Sequence, residues 1–313
     1  MALRLAARRA PLARAENIAA GIGWTLITGL LFVLMTGIVR HLGSSLPPAE
    51  GAFFRYAFGL LFVSPALIGV IRRPPALKIW ALYGGRGLLH GFGVILWFYA
   101  MARIPIAEVT ALNYATPIFI TILAAIFLGE RLQARRIAAI IVGIIGVAII
   151  LRPGFHEIGA GQLAQICATP FFAASFILAK RLTRDAAPVE IVAMLSLACT
   201  LVLLPAALSD WRDPTWAEVG WLALAAAIAT AGHYTLTLAY RCAPISVTQP
   251  VTFLQIVWAT ALGVVAFGEP VDLFILFGAA VIVSSAWYIT VREMRAKGAA
   301  DIPPVAAASR EPS

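Results

Sequence analysis

Apolar residues fill this chain in windows of about twenty, each closed by a short polar or basic segment. At 1.5 Å rise per residue such a window spans the hydrocarbon of a bilayer, so each reads as a crossing helix. The windows fall at 18–39, 51–71, 79–101, 105–128 and 137–151, then at 158–179, 189–208, 219–240, 245–267 and 271–291. Span 137–151 is the shortest and needs flanking residues to reach both faces. The pattern predicts an all-α integral membrane protein of ten transmembrane helices. One stretch breaks it: TALNYATPIF (110–119) places Thr110, Asn113, Tyr114, Thr116 and Pro117 inside an apolar run. In hydrocarbon each of those polar groups needs an internal partner or water, so this segment bonds to neighbours or lines a cavity.

The two sets of five spans resemble each other. PIAEVTALNYATPIFITILAAIFLGE (105–130) lies over PISVTQPVTFLQIVWATALGVVAFGE (244–269) at a constant offset of 139. VRHL (39–42) matches AKRL (179–182) at an offset of 140, which Pro48/Pro188, Glu50/Glu190 and Pro65/Pro205 keep. Two oily stretches share Leu and Ala by chance; matched Pro, Gly and Glu are harder to obtain that way. Five is odd, so the second copy enters the membrane upside down, the inverted repeat that supports alternating access. The expected organisation is a basic tail (1–17), two repeats (18–152 and 153–292) and a second tail (293–313).

Composition agrees: 61% of residues are hydrophobic, 12% are charged, and the mean hydropathy is +0.90. The +9 charge does not point to nucleic acid, because the basic residues cluster between apolar spans. With both tails on one side, eighteen Lys and Arg fall on the tail side and four (Arg40, Arg103, Arg152, Arg212) on the other. That bias places both termini in the cytoplasm and the protein in the cell inner membrane as a multi-pass chain. The apolar stretch from Ile18 to about Val39 is too long for a signal peptide and reads as an uncleaved first span. Cys167, Cys199 and Cys242 stand alone, without metal or disulfide spacing. No metal or cofactor is expected, and neither is a nucleoside triphosphate site, since GxxxxGK[ST] is absent. HExxH, paired intramembrane Asp and GxSxG are absent too, which argues against an intramembrane enzyme.

The paired FLGE (127–130) and FGE (267–269), the basic residues ending spans one and six (Arg40, Lys180) and the FFRYAFGLLFVSPAL pattern (53–67) carry a resemblance. The chain resembles the drug/metabolite transporter superfamily in its EamA-type branch. That resemblance implies a ten-helix basket in which spans three, four, eight and nine surround a cavity. Spans one, two, six and seven would gate it, and five and ten would brace it. It further implies a secondary transporter of a small organic metabolite, by uptake or efflux: an amino acid derivative, a vitamin such as riboflavin, or an adenosyl compound. The partners are then a small-molecule substrate and the lipid bilayer. A non-transporting scaffold or partner-binding subunit is the second reading, and it requires no accessible cavity.

Spacing nominates the cavity residues. Thr110, Asn113 and Thr116 step by three along one face of span four, and their repeat mates are Gln249, Thr252 and Gln255. Small polar residues commonly bond helix to helix, whereas the larger amides suit a cavity wall. Pro117 and Pro250 free backbone carbonyls nearby. No Asp or Glu lies in mid-span, and Glu130 and Glu269 are expected at the N-termini of the following helices. Arg55 and Arg86 do enter spans, and their mates are Leu195 and Ala225 or Ala226. Either these long side chains snorkel to the interface, or, as unpaired cations beside a cavity, they suit an anionic solute group. His90 shares the face of Arg86, and His90 and His233 are the deep groups able to titrate near neutrality. Aromatics are dense beside the polar stripes (Trp24, Trp97, Tyr99, Tyr114, Phe172, Tyr234, Tyr240, Phe253 and Trp258); some fill helix contacts or interface belts, and a subset near the cavity suits a flat or amphipathic solute. The substrate-binding candidates are therefore Arg55, Arg86, His90, Asn113, Tyr114, Thr116, Gln249, Thr252 and Gln255.

Overall fold

The computed structural model describes residues 17–72, 74–116, 118–120, 122–123, 134–154, 157–244, 248 and 251–300. Among the described residues ten helices follow one another: α1 (Ile18–Leu42), α2 (Pro48–Arg72), α3 (Leu77–Met101), α4 (Ile106–Asn113), α5 (Ala134–Leu151), α6 (Ala160–Leu182), α7 (Pro188–Ser209), α8 (Trp216–Cys242), α9 (Gln255–Phe267) and α10 (Leu273–Ala300). Five of them (α1, α2, α6, α7 and α8) are long and apolar enough to cross a membrane by length and composition alone. Most helices run a few residues past the apolar windows, because polar ends cost nothing once they leave hydrocarbon.

Helix partners repeat the sequence symmetry. α1 packs on α8 and α3 on α6, and each pair is converted into the other when the halves are exchanged. α2 packs on its own mate α7, α4 on α9 and α5 on α10. Close approach is bought by small residues: a Cβ on Gly87 of α3 would overlap Ala198 of α7, and Gly146 of α5 faces the Gly278 carbonyl of α10. Large apolar side chains such as Leu61, Ile71, Val265 and Phe277 stay exposed on the outside, where lipid covers them.

Polar ties mark the two ends of the bundle. Arg40 at the end of α1 donates to the Met101 carbonyl at the end of α3. Lys180 at the end of α6 donates to the Tyr240 carbonyl in the last turn of α8, the same cap at offsets of 140 and 139. At the end holding Arg40, Glu269 lies 3.1 Å from Arg40 and accepts from the Ile106 N–H that opens α4. Glu269 therefore corrects an expectation: it caps α4 of the opposite half, and Asp272 caps its own following helix by accepting from the N–H of Phe274. The reason is local. Gly268 is left-handed (φ 64°) and the Glu269 N–H bonds back to the Gly263 carbonyl, so the chain turns Glu269 toward α4. Arg152 with Asp272, Gln162 with Glu108 and the Arg212 N–H with Glu50 close the same end. This is the end away from Asn17 and Ala300, called the far end below. Glu130, the mate of Glu269, lies outside the described residues.

Candidate functional site: a central cavity between the repeats

A cavity of about 110 Å³ lies inside the bundle. α3 gives it one stripe of side chains, His90, Val94, Trp97 and Phe98, at spacings that keep to one helical face. α1 contributes Phe32, Met35 and Thr36, and α6 adds Phe172 and Phe176 at i, i+4. Arg55 and Tyr56 enter from α2, His233 from α8 and Gln255 from α9. The walls are thus largely aromatic with a few placed polar groups, the usual character of a small-molecule site.

α4 supplies Val109, Thr110 and Asn113, and its local structure explains Asn113. Residue 117 is proline and has no N–H for the Asn113 carbonyl, so the α-helix stops there. The chain turns at Tyr114 and Ala115, and the Thr116 hydroxyl takes over that carbonyl at 2.6 Å. The Asn113 side chain is left at the cavity with Oδ1 lacking a hydrogen-bond partner. The second repeat breaks at the equivalent place, Phe253 and Leu254, although the mate of Pro117 is Ile256. The two breaks hold each other: the Tyr114 hydroxyl donates to the Phe253 carbonyl at 2.9 Å, and their rings meet edge-on at 5.0 Å. Tyr114 and Phe253 are repeat mates, so the pseudo-two-fold axis passes between them.

Two imidazoles lie side by side. His90 and His233 have ring centroids 5.2 Å apart, and His90 Nδ1 bonds to the Ser175 hydroxyl at 3.0 Å. Phe32, Phe172 and Tyr56 pack around the pair. His233 Nδ1 and the Tyr56 hydroxyl lack hydrogen-bond partners, as Asn113 Oδ1 does. Arg55 is 5% exposed, and its guanidinium sits 4.0 Å from the Tyr56 ring centroid.

The structure gathers Arg55, His90, Asn113 and Gln255 from the candidate set, together with Thr110. Arg86 lies outside the cavity: it is 1% exposed, and its NH1 donates to the Ile191 carbonyl in α7. The reason is spacing. One turn before His90, Arg86 meets the tight α3–α7 crossing instead of the open space. Tyr114 and Thr116 build the helix breaks, half-buried Thr252 does not reach the cavity, and Gln249 falls outside the described residues. Pro117 and Pro250 do too. Tyr234 and Trp258 point outward, at 41% and 44% exposure. Tyr56, Phe98 and Phe176 carry no signal of their own in an aromatic-rich chain, although Tyr56 and Phe98 adjoin the residues Arg55 and Trp97 that do.

Above the cavity, at the far end, lies a vestibule of about 500 Å³ bordered by the 43–48 connection, Arg103, Asp210 and Arg212. Phe98 belongs to the walls of both spaces, and its ring rests on Gly51, where a Cβ would come within 3.0 Å.

The defining pattern of the EamA-like transporter family matches this chain twice, over residues 19–152 and 159–291. The chain belongs to that family. A riboflavin transporter of Rhizobium johnstonii is 32% identical over 282 residues, spanning 88% of this chain and 92% of the relative. An S-adenosylmethionine uptake transporter of Rickettsia bellii is 26% identical, spanning 88% and 95%. A pseudopaline exporter of Pseudomonas aeruginosa is 25% identical, spanning 86% and 95%. A solved crystal structure, 21% identical and covering 89% of this chain and 99% of its own, superposes with a TM-score of 0.57 and shows the fold. The chain is accordingly a multi-pass membrane transporter of small metabolites and not an enzyme. In this transporter the cavity between the repeats is the candidate solute site; the resemblance implied a wall of spans three, four, eight and nine, and here α1, α2 and α6 contribute as well.

Proposed function

We propose that this EamA-family transporter carries a small amphipathic organic solute across the cell inner membrane by alternating access, with both termini in the cytoplasm and the far end outside. The observation that carries the reading is the cavity at the repeat interface, with orphaned polar atoms on Tyr56, Asn113 and His233 set among aromatic walls. A solute placed there completes those hydrogen bonds, and its aromatic or apolar body meets Phe32, Trp97 and Phe172. Substrate contacts are assigned to Arg55, His90, Asn113 and Gln255, while Tyr114, Thr116 and Thr252 support the broken helices, and Arg86 the α3–α7 contact. Gln249 retains its place in the proposed set by its position in the second stripe.

At about 110 Å³ the cavity is smaller than the roughly 300–1,000 Å³ usual for a small-molecule site. A metabolite of vitamin size enters only when the wall moves. Phe98, shared with the vestibule, is the element whose rotation joins the two spaces, and the interlocked α3–α7 crossing closes the opposite direction. The scaffold reading has no use for an internal cavity that holds unpaired polar atoms. The test is counterflow in proteoliposomes with the purified full chain, using labelled riboflavin, S-adenosylmethionine and an aromatic carboxylate. Exchange of at least one, saturable and lost with Asn113→Ala, supports the reading. Accumulation no faster than in protein-free liposomes for every compound contradicts it.

A further inference from the structure

Among the described residues lining the central cavity, Arg55 is the one guanidinium or ammonium and none is Asp or Glu. It is nearly as buried as Arg86, yet the two are held differently. Arg86 anchors a neighbouring helix by donating from NH1 to the Ile191 carbonyl, with its Nε left unpartnered inside the α3–α7 contact, away from the cavity. The close contact made by the Arg55 guanidinium is the face of the adjacent Tyr56 ring, and no described carboxylate pairs with it. The scaffold does not require a cation here, since the mate of Arg55 in the second repeat is Leu195, which is 1% exposed. Beside it stands the Tyr56 hydroxyl, 2% exposed for the residue as a whole, close to Arg55 and Cys199 but without a hydrogen bond of full geometry.

We infer that the transported solute is an aromatic monoanion, a carboxylate on a flat ring system, and that the cavity discriminates against cations and zwitterions. This rests on the central cavity being the transport site. The carboxylate accepts from the Arg55 guanidinium and the Tyr56 hydroxyl, two donors contributed by neighbouring residues of α2. One fixed cation balances one negative charge. The ring system lies between Trp97 and Phe172, and its polar edge reaches Asn113 Oδ1, an acceptor that asks for an N–H or O–H. An ammonium or sulfonium finds no counter-charge in the wall and meets the field of Arg55, so it is penalised by like-charge repulsion in a low dielectric.

The experiment measures binding of three matched probes to the full chain in nanodiscs by calorimetry: 2-naphthoate, 2-naphthamide and 2-naphthylmethylammonium. Wild type is expected to bind the carboxylate at least about tenfold tighter than the other two. Arg55→Gln removes that preference, Arg55→Lys keeps part of it, and Tyr56→Phe lowers it by a few-fold. Should Arg55→Gln fail to fold, judged by size exclusion, Tyr56→Phe and Arg55→Lys still decide. Equal binding of the three probes, tighter binding of the cation, absence of naphthoate binding, or a preference that survives Arg55→Gln overturns the inference. Counterflow of the same probes separates this from failure of the transport reading. Binding of the carboxylate without flux keeps the anion site and ends the transport assignment, whereas flux of all three without preference does the reverse.

Discussion

The two five-helix halves carry the same frame and different chemistry. Arg40 and Lys180 cap the ends of α3 and α8 in matched fashion, Tyr114 and Phe253 meet on the axis, and the helix pairings map onto themselves. The polar residues of the cavity break that symmetry, although its aromatic wall keeps Phe32 of α1 and its mate Phe172 of α6 at the offset of 140. Arg55, His90 and Asn113 come from the first half, and their mates are Leu195, Ala229 or Thr230, and Thr252. Even the paired glutamates diverge: Glu190 accepts from the N–H of Ala187 at the start of its own helix, while Glu50 accepts from the Arg212 N–H of the opposite half. The positions kept in both repeats include those that define helix ends, which both states of the proposed alternating-access cycle use. The polar positions that the proposal assigns to the solute differ between the repeats, as an asymmetric solute requires.

The comparison breaks most severely where the frame is tightest. Gly87→Leu drives a side chain into Ala198 at the α3–α7 crossing, and a destabilisation of about 3 kcal/mol is expected. Thermal unfolding of the purified variant checks it; a melting temperature equal to that of wild type would remove the crossing from the frame. Smaller is the Arg40–Glu269 tie, whose side chains are 23% and 10% exposed. A double-mutant cycle of Arg40→Gln and Glu269→Gln is expected to give a coupling of about 1–2 kcal/mol after discounting for the partial exposure. Additive losses would mean that each residue acts through its backbone partner alone. Tyr114→Phe deletes one hydrogen bond across the axis and is expected to cost about 1 kcal/mol.

Cavity variants sharpen the other side of the comparison. Asn113→Ala and Gln255→Ala are each expected to cut transport about tenfold while abundance and melting stay near wild type. Thr252→Ala, off the cavity wall, is expected to change transport by less than about twofold. If the Thr252 variant matched the Asn113 variant, the site would follow the repeat symmetry after all.

The helices were legible because about twenty apolar residues are a strong signal and a constant offset stronger still. The helix breaks could be anticipated in the first half from Pro117, which denies the Asn113 carbonyl its donor. In the second half the break follows the fold, not a proline. The side-chain stripes were less legible. Sequence spacing grouped Thr110, Asn113 and Thr116 on one face, but a face computed for a continuous helix fails beyond a break, and Thr116 turned to cap Asn113. Arg86 and His90 share a face as well, yet one turn of rise separates a crowded crossing from an open cavity. Burial of a cation looks alike from the sequence in both arginines, and what distinguishes them is the partner across the bundle.

The central claim is that the asymmetric wall of the cavity meets the solute from both sides of the membrane in turn. Single cysteines at 113 and 255, in a background with Cys167, Cys199 and Cys242 replaced, test it most directly by labelling with a membrane-impermeant thiol reagent applied to one side at a time. The account predicts that both positions react from either side, and that an excess of transported solute slows both reactions. Positions that react from neither side, or from one side under every condition, would contradict it.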